Sequence, residues 1–360
     1  MNVPADSKDY ARNILGILCK KVFDEKIIRY TEITDMKQDD ALEMFVRFNS
    51  GGKPLKKSEI TMSILEAYWP SAKVEFGKIL TDSYTGFEAD FIIRSALMLY
   101  GDVVKSNINR SIVDTLKKDW SKFRKALIDL EKLLMQMKID INRFSNSWNV
   151  LLPIIYYIYY NSEYSKNIKA IQAYLLRAIF FTYFQSGTTG KLQQMKSNIN
   201  SFDYEITIEM LNQMNELRVT DGKIEDVLNS EKGSRVAGEV LYYLGLKWIN
   251  KSFKYEQDHL HPESRFDAAK PVSITMDQWK IWRGMRNRLP NLYYLEGRSN
   301  GSKNDMRLID YFDEMNDEQK ALFISQAMIP NDISLEFEDF SKFYEARKNL
   351  LVNKIKELLG

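Results

Sequence analysis

The residues with chemistry to offer lie close together in this sequence. The chain has 360 residues and two histidines, His259 and His261, both within Asp258-His259-Leu260-His261-Pro262. Histidine is the side chain best suited to moving a proton near neutral pH. Asp258 sets a carboxylate beside it. Further on come Asn291, in Pro290-Asn291-Leu292-Tyr293-Tyr294-Leu295, and then Asn300 and Lys303, in Ser299-Asn300-Gly301-Ser302-Lys303. Two short strand-like runs, over 253–260 and 291–295, bracket a long loop with Pro262, Pro271 and Pro290. A short helix is expected inside that loop at about 276–288, and another over 299–312. The outline is strand, long loop, strand, helix. Neighbouring strand residues point to opposite faces, so Asp258 and His259 can serve one centre only if the strand bends there.

Taken together, these residues and elements resemble the HNH, or His-Me finger, nucleases, in the form D-H-I-x-P…N-L…N-x-x-K. The resemblance implies phosphodiester hydrolysis. His259 would be the general base, with its second ring nitrogen fixed near Asn291. Asp258 and Asn300 would supply oxygens to one Mg²⁺ or Mn²⁺, and Lys303 would steady a phosphate. Mg²⁺ suits such a set because it keeps much of its hydration shell. A solvated lysine at a helix start is the plain alternative for Lys303. His261 matches no required position; it shares a face with His259 and reads as a supporting or phosphate-facing group, as does Arg298. Where many relatives carry a third histidine, this chain has Asn300.

The rest of the chain must position that run, and most of it reads as helix. Ile112, Leu116, Trp120, Phe123, Leu127, Leu130, Leu134 and Met137 recur every three or four residues, as on one face of a long amphipathic helix. Similar patterns run at about 86–100, 148–160, 168–185, 205–217, 235–249 and 336–359. Ser186-Gly187-Thr188-Thr189-Gly190 reads as a loop, but is too short for a phosphate-binding G-x-x-x-x-G-K-[ST]. Near the front, Phe45-Val46-Arg47-Phe48-Asn49-Ser50-Gly51-Gly52-Lys53-Pro54-Leu55 reads as a helix end, with a new helix from about Ser58. This stretch also resembles the F-x-R-x-N-x-G-G-x-P-L segment of the GmrSD-like restriction endonucleases. That family joins a ParB/sulfiredoxin-like N-terminal domain to a helical middle and a C-terminal HNH domain. The family's Asp-Gly-Gln-Gln-Arg string is missing here, so nucleotide-dependent activity is not carried over. Arg47, Asn49 and Gly52 would either complete a site with another chain or be structural.

The expected fold is mainly α, a helical bundle followed by a small ββα-metal (HNH) domain. The expected divisions are a remnant of the N-terminal domain at 1–80, a helical middle at 81–235, an HNH-like domain at 236–330 and a C-terminal helix at 331–360. Lys and Arg total 51 against 49 Asp and Glu, so DNA must be met by a local basic patch and not by a global field. Arg283, Arg286, Arg288, Arg298, Lys303 and Arg307 are the candidates; Trp279, Trp282 and Tyr293 read as packing. One cysteine, Cys19, excludes a disulfide framework and cysteine-held metal clusters. No stretch is long and apolar enough for a bilayer, so a cytoplasmic protein with no membrane partner is expected. DNA is the expected partner, along with a chain or domain carrying the missing N-terminal part. The resemblance implies a role in bacterial defence against foreign or modified DNA. The alternative is a catalytically silent DNA-binding or partner-docking fragment.

Overall fold

The computed structural model describes residues 5–25, 36–49, 57–101, 108–245, 254–296, 303 and 305–360. Ser50, Gly51, Gly52, Pro54, Arg298 and Asn300 lie outside them. The chain divides into two compact units, Met1–Lys56 and Lys57–Gly360. The first contains helices Ala5–Cys19 and Gln38–Asn49, and the second contains everything that bears on the site.

The molecule is mainly helical, and the helices follow the apolar period. Leu152–Tyr160 is apolar all round and buries every residue but its last, with Pro153 in the first turn where its missing N–H costs nothing. Ile168–Phe180 packs against the C-terminal helix Phe340–Leu359 and hides Ile171, Leu175, Leu176 and Ile179. The long helix expected from Ile112 onward is instead two, Arg110–Lys118 and Trp120–Gln136. Asp119 leaves helical geometry between them (φ −94°, ψ 11°), and its carboxylate accepts a 3.2 Å bond from Tyr159 Oη. The apolar spacing runs through this break because both pieces face one core. Gly187 sits at φ +63°, and the second half of the expected loop is already the first turn of helix Thr188–Ser201.

Among the described residues the strands form a single antiparallel pair, β1 (Tyr255–His259) and β2 (Leu292–Glu296). The register sets His259 opposite Leu292 and Asp258 opposite Tyr293. The connection between them holds helix Met276–Met285, started by a capping box between Thr275 and Gln278. Trp279 and Trp282 are core, packed with Phe266, Phe340 and Tyr344. A two-stranded pair is marginal alone, and this one is braced from the helical side. Glu231 forms a bridge with Arg288, Leu289 N–H donates to Ser230 O at 3.0 Å, and Lys232 N–H donates to Asn287 O at 2.7 Å.

The C-terminal helix Phe340–Leu359 carries one face of Phe343, Arg347, Leu351, Ile355 and Leu359, all buried. Two buried arginines wire it in place. Arg177 donates to Leu359 O (2.8 Å), Gly360 O (2.7 Å) and Asn212 Oδ1 (2.9 Å) at its end. Arg347 donates to Leu289 O, Pro290 O, Leu292 O and Ala327 O at 2.7–3.1 Å. Replacing Arg347 by Leu strands those carbonyls, each costing about 1–3 kcal/mol if left unpaired. The expected loss is about 3–5 kcal/mol, a fall of roughly 10 °C in Tm by thermal unfolding. Arg347→Lys, with a point charge in place of a fork, should recover only part of it.

Candidate functional site

His259 closes β1 and is 4% exposed. Its ring is held from two sides. Nε2 lies 2.7 Å from Asn287 Oδ1, and Nδ1 lies 3.3 Å from Lys232 Nζ. The Asn287 amide is oriented by its other end, where Nδ2 donates to Glu263 Oε1 at 3.4 Å. Oδ1 therefore faces the ring and can only accept, so the imidazole carries its proton on Nε2. The Nδ1 lone pair is left toward the lysine ammonium. Burial pushes the His259 pKa below the usual histidine value, and Lys232 pushes the same way, while the Asn287 bond, Glu263 and Asp258 oppose. The result at neutral pH is a neutral imidazole of fixed tautomer with one basic nitrogen, the form a general base needs.

Asp258 lies on the opposite face of β1, as alternation requires. Its Oδ2 accepts a 2.9 Å bond from Lys303 Nζ, with the side chains 14% and 1% exposed. The same ammonium donates to the backbone carbonyl of His259 and lies 5.4 Å from the Tyr293 ring centre. Burial lowers the Lys303 pKa and Asp258 opposes it. Lys303 is thus not open to a phosphate as expected. It is a buried cation that ties the two faces of β1 together, neutralising Asp258 and gripping the backbone of His259.

Asn291 is fully buried and does not reach the His259 ring; Asn287 takes the place expected for it. Asn291 Oδ1 accepts from His261 N–H at 3.0 Å, and Nδ2 donates to His261 O at 3.0 Å and Arg286 O at 2.8 Å. Leu260 N–H donates to Asn291 O at 2.8 Å. The amide thus acts as one more rung of the ladder and fixes the chain as it leaves His259. His261 is 1% exposed and faces away from solvent, edge-on to Phe343 and Phe340 with ring centres 4.8 and 5.5 Å away. Burial, aided by Lys303, brings its pKa down to about 3.

For Mg²⁺ or Mn²⁺ the expected ligands were Asp258 and Asn300. Asp258 shares its carboxylate with Lys303, and Asn300 lies outside the described residues. A carboxylate with an amide oxygen and waters is a donor set that Mg²⁺ accepts. Among the described residues, no group of three or more His, Cys, Asp and Glu side chains comes together that could hold a metal ion.

Most of the expected phosphate contacts prove to be paired within the fold. Arg286 meets Asp267 at 2.7 Å and Glu263 at 3.4 Å, and Arg283 meets Asp267 at 3.8 Å. Arg288 donates to Asn229 at 2.8 Å, and Arg307 pairs with Asp310 and Glu336. Arg298 lies outside the described residues. The sequence reading overlooked Asn287 and Lys232. Asn287 carried a faint signal, an amide one helical turn before Asn291. Lys232 carried none, because the contact is made 27 residues away in the chain.

His261 makes stability pH-dependent. Its folded pKa is depressed, so the unfolded chain takes up a proton below about pH 6.5 that the folded chain refuses until about pH 3. Stability is full above that window and falls inside it, by about 1.4 kcal/mol per pH unit. Urea unfolding of His261→Phe at pH 7 and pH 5 should show a smaller drop than the parent. An equal drop would mean the histidine is charged in the fold. Neither a protein-family model nor a curated protein matches the chain.

Proposed function

We propose that the chain is a metal-dependent endonuclease that hydrolyses phosphodiester bonds in DNA, with His259 as general base. The observation that supports this most is the state of that imidazole: neutral, fixed by Asn287 on Nε2, with its one lone pair at Nδ1 turned toward the Lys232 ammonium. Water attacking phosphorus would pass its proton to Nδ1, once the Lys232 ammonium has turned from that lone pair to the incoming phosphate. The other proton would stay on Nε2, still donated to Asn287 Oδ1, so no tautomer change is needed. Glu263, behind Asn287, and Asp258 favour the imidazolium that forms. Asp258 with Asn300 would hold one Mg²⁺ or Mn²⁺, which when bound would supply Lewis-acid stabilisation of charge on a phosphate. Because Asp258 stands on the face of β1 opposite His259 and pairs with Lys303, both would serve one phosphate only with a bend in the strand at that point.

The resemblance to GmrSD-like enzymes supports a cytoplasmic role in bacterial defence against foreign or modified DNA, as the family's place in restriction systems implies. Among the described residues no helix is long and apolar enough to cross a membrane.

Plasmid nicking with Mg²⁺ or Mn²⁺, on plain and modified DNA, tests the reading. His259→Ala should lose at least about 100-fold in rate. Asn287→Ala should lose about 10–100-fold through a loosened ring, while still folding. Equal cleavage by parent and His259→Ala would remove the assignment. A folded parent that binds DNA but cuts none would establish the silent binding alternative.

A further inference from the structure

We infer that Lys232, delivered from the helical body and not from the hairpin, takes a non-bridging oxygen of the phosphate being cut. The inference rests on the nuclease reading and names a substrate contact within it. The segment 230–234 is stitched across the His259 face of β1 by its backbone. Gly233 N–H donates to Gln257 Oε1 at 2.8 Å, two residues before His259 on the same face, and Lys232 N–H donates to Asn287 O at 2.7 Å. Gly233 adopts φ +84°, where a side chain would be strained. These bonds fix the lysine backbone and leave its side chain exposed.

The ammonium lies 3.3 Å from Nδ1, on the side where a water losing its proton to that nitrogen would stand. The neighbouring arginines are satisfied by carboxylates or amides. Lys232 instead faces a neutral ring, and among the described residues it has no carboxylate within ion-pair distance. An ammonium has three donors and the imidazole can accept only one, so an anionic oxygen is the better partner, and turning to it would free the Nδ1 lone pair for the water. Lysine is a compact point charge, suited to phosphate without reading sequence.

The test separates binding from cutting. In the His259→Ala background, affinity for a short DNA duplex is measured across salt concentrations. Lys232→Met should lower the slope of log Kd against log salt by about 0.9, the share of one phosphate contact, and Lys232→Arg should restore it. With His259 present, Lys232→Met should reduce kcat/KM about 100-fold at unchanged Tm. If His259→Ala abolishes cutting while Lys232→Met binds and cuts like the parent, Lys232 is not a phosphate contact and the nuclease reading stands. If the parent neither binds nor cuts DNA, both fail together.

Discussion

The site depends on a buried guanidinium. Arg347 sits on the apolar face of the last helix and gives its N–H groups to backbone carbonyls at 289, 290, 292 and 327. Placing a charge in the core is costly unless its donors are all used. Here it is compensated by carbonyls that would themselves be stranded, at the point where the long connection turns into β2. Asn291 lies inside that grip. Its amide can copy a strand rung for His261 only because the backbone on both sides is held. The chain after His259 is fixed in turn, and with it the ring. Helix, strand entrance and imidazole form one sequence of dependence.

β1 divides its work by face. On one side His259 and Gln257 meet the 230–234 segment and Asn287; on the other Asp258 meets Lys303. Each face has its own lysine, in very different surroundings. Lys303 is sealed against a carboxylate, a carbonyl and an aromatic ring, so its charge is spent on holding the strand. Lys232 stands at the surface against a neutral base. Residue type alone does not separate the two; burial and partners do.

What the sequence made legible was local. Amphipathic period located most of the helices but ran through the break at Asp119, turn chemistry missed the helix start at Thr188, and the strand-like runs around His259 and Asn291 fell within two residues of β1 and β2. His259 was found because histidine is scarce in this chain. The partners that give it a tautomer were not, since Asn287 and Lys232 reach it only through folding, 28 and 27 residues away. His261 read as a supporting or phosphate-facing group on the same face as His259, but leaving the strand turned it in among phenylalanines. Arg347 was readable in principle. It falls at four-residue spacing between Phe343 and Leu351, a charge on an apolar stripe, which marks a buried cation with work to do.

The hairpin's dependence on distant helices bears on how such a site could be moved or inherited. β1, β2 and their connection carry His259, Asp258, Asn287 and Asn291, yet they lack the guanidinium that holds the strand entrance and the loop that covers the His259 face. Cut out as residues 254–296, the segment would be a short two-stranded ribbon with little core of its own. It is therefore not a portable cassette. Recombination that exchanged the hairpin would have to bring residues 230–234 and the last helix with it, so the stretch that must travel together runs at least from 230 to 359.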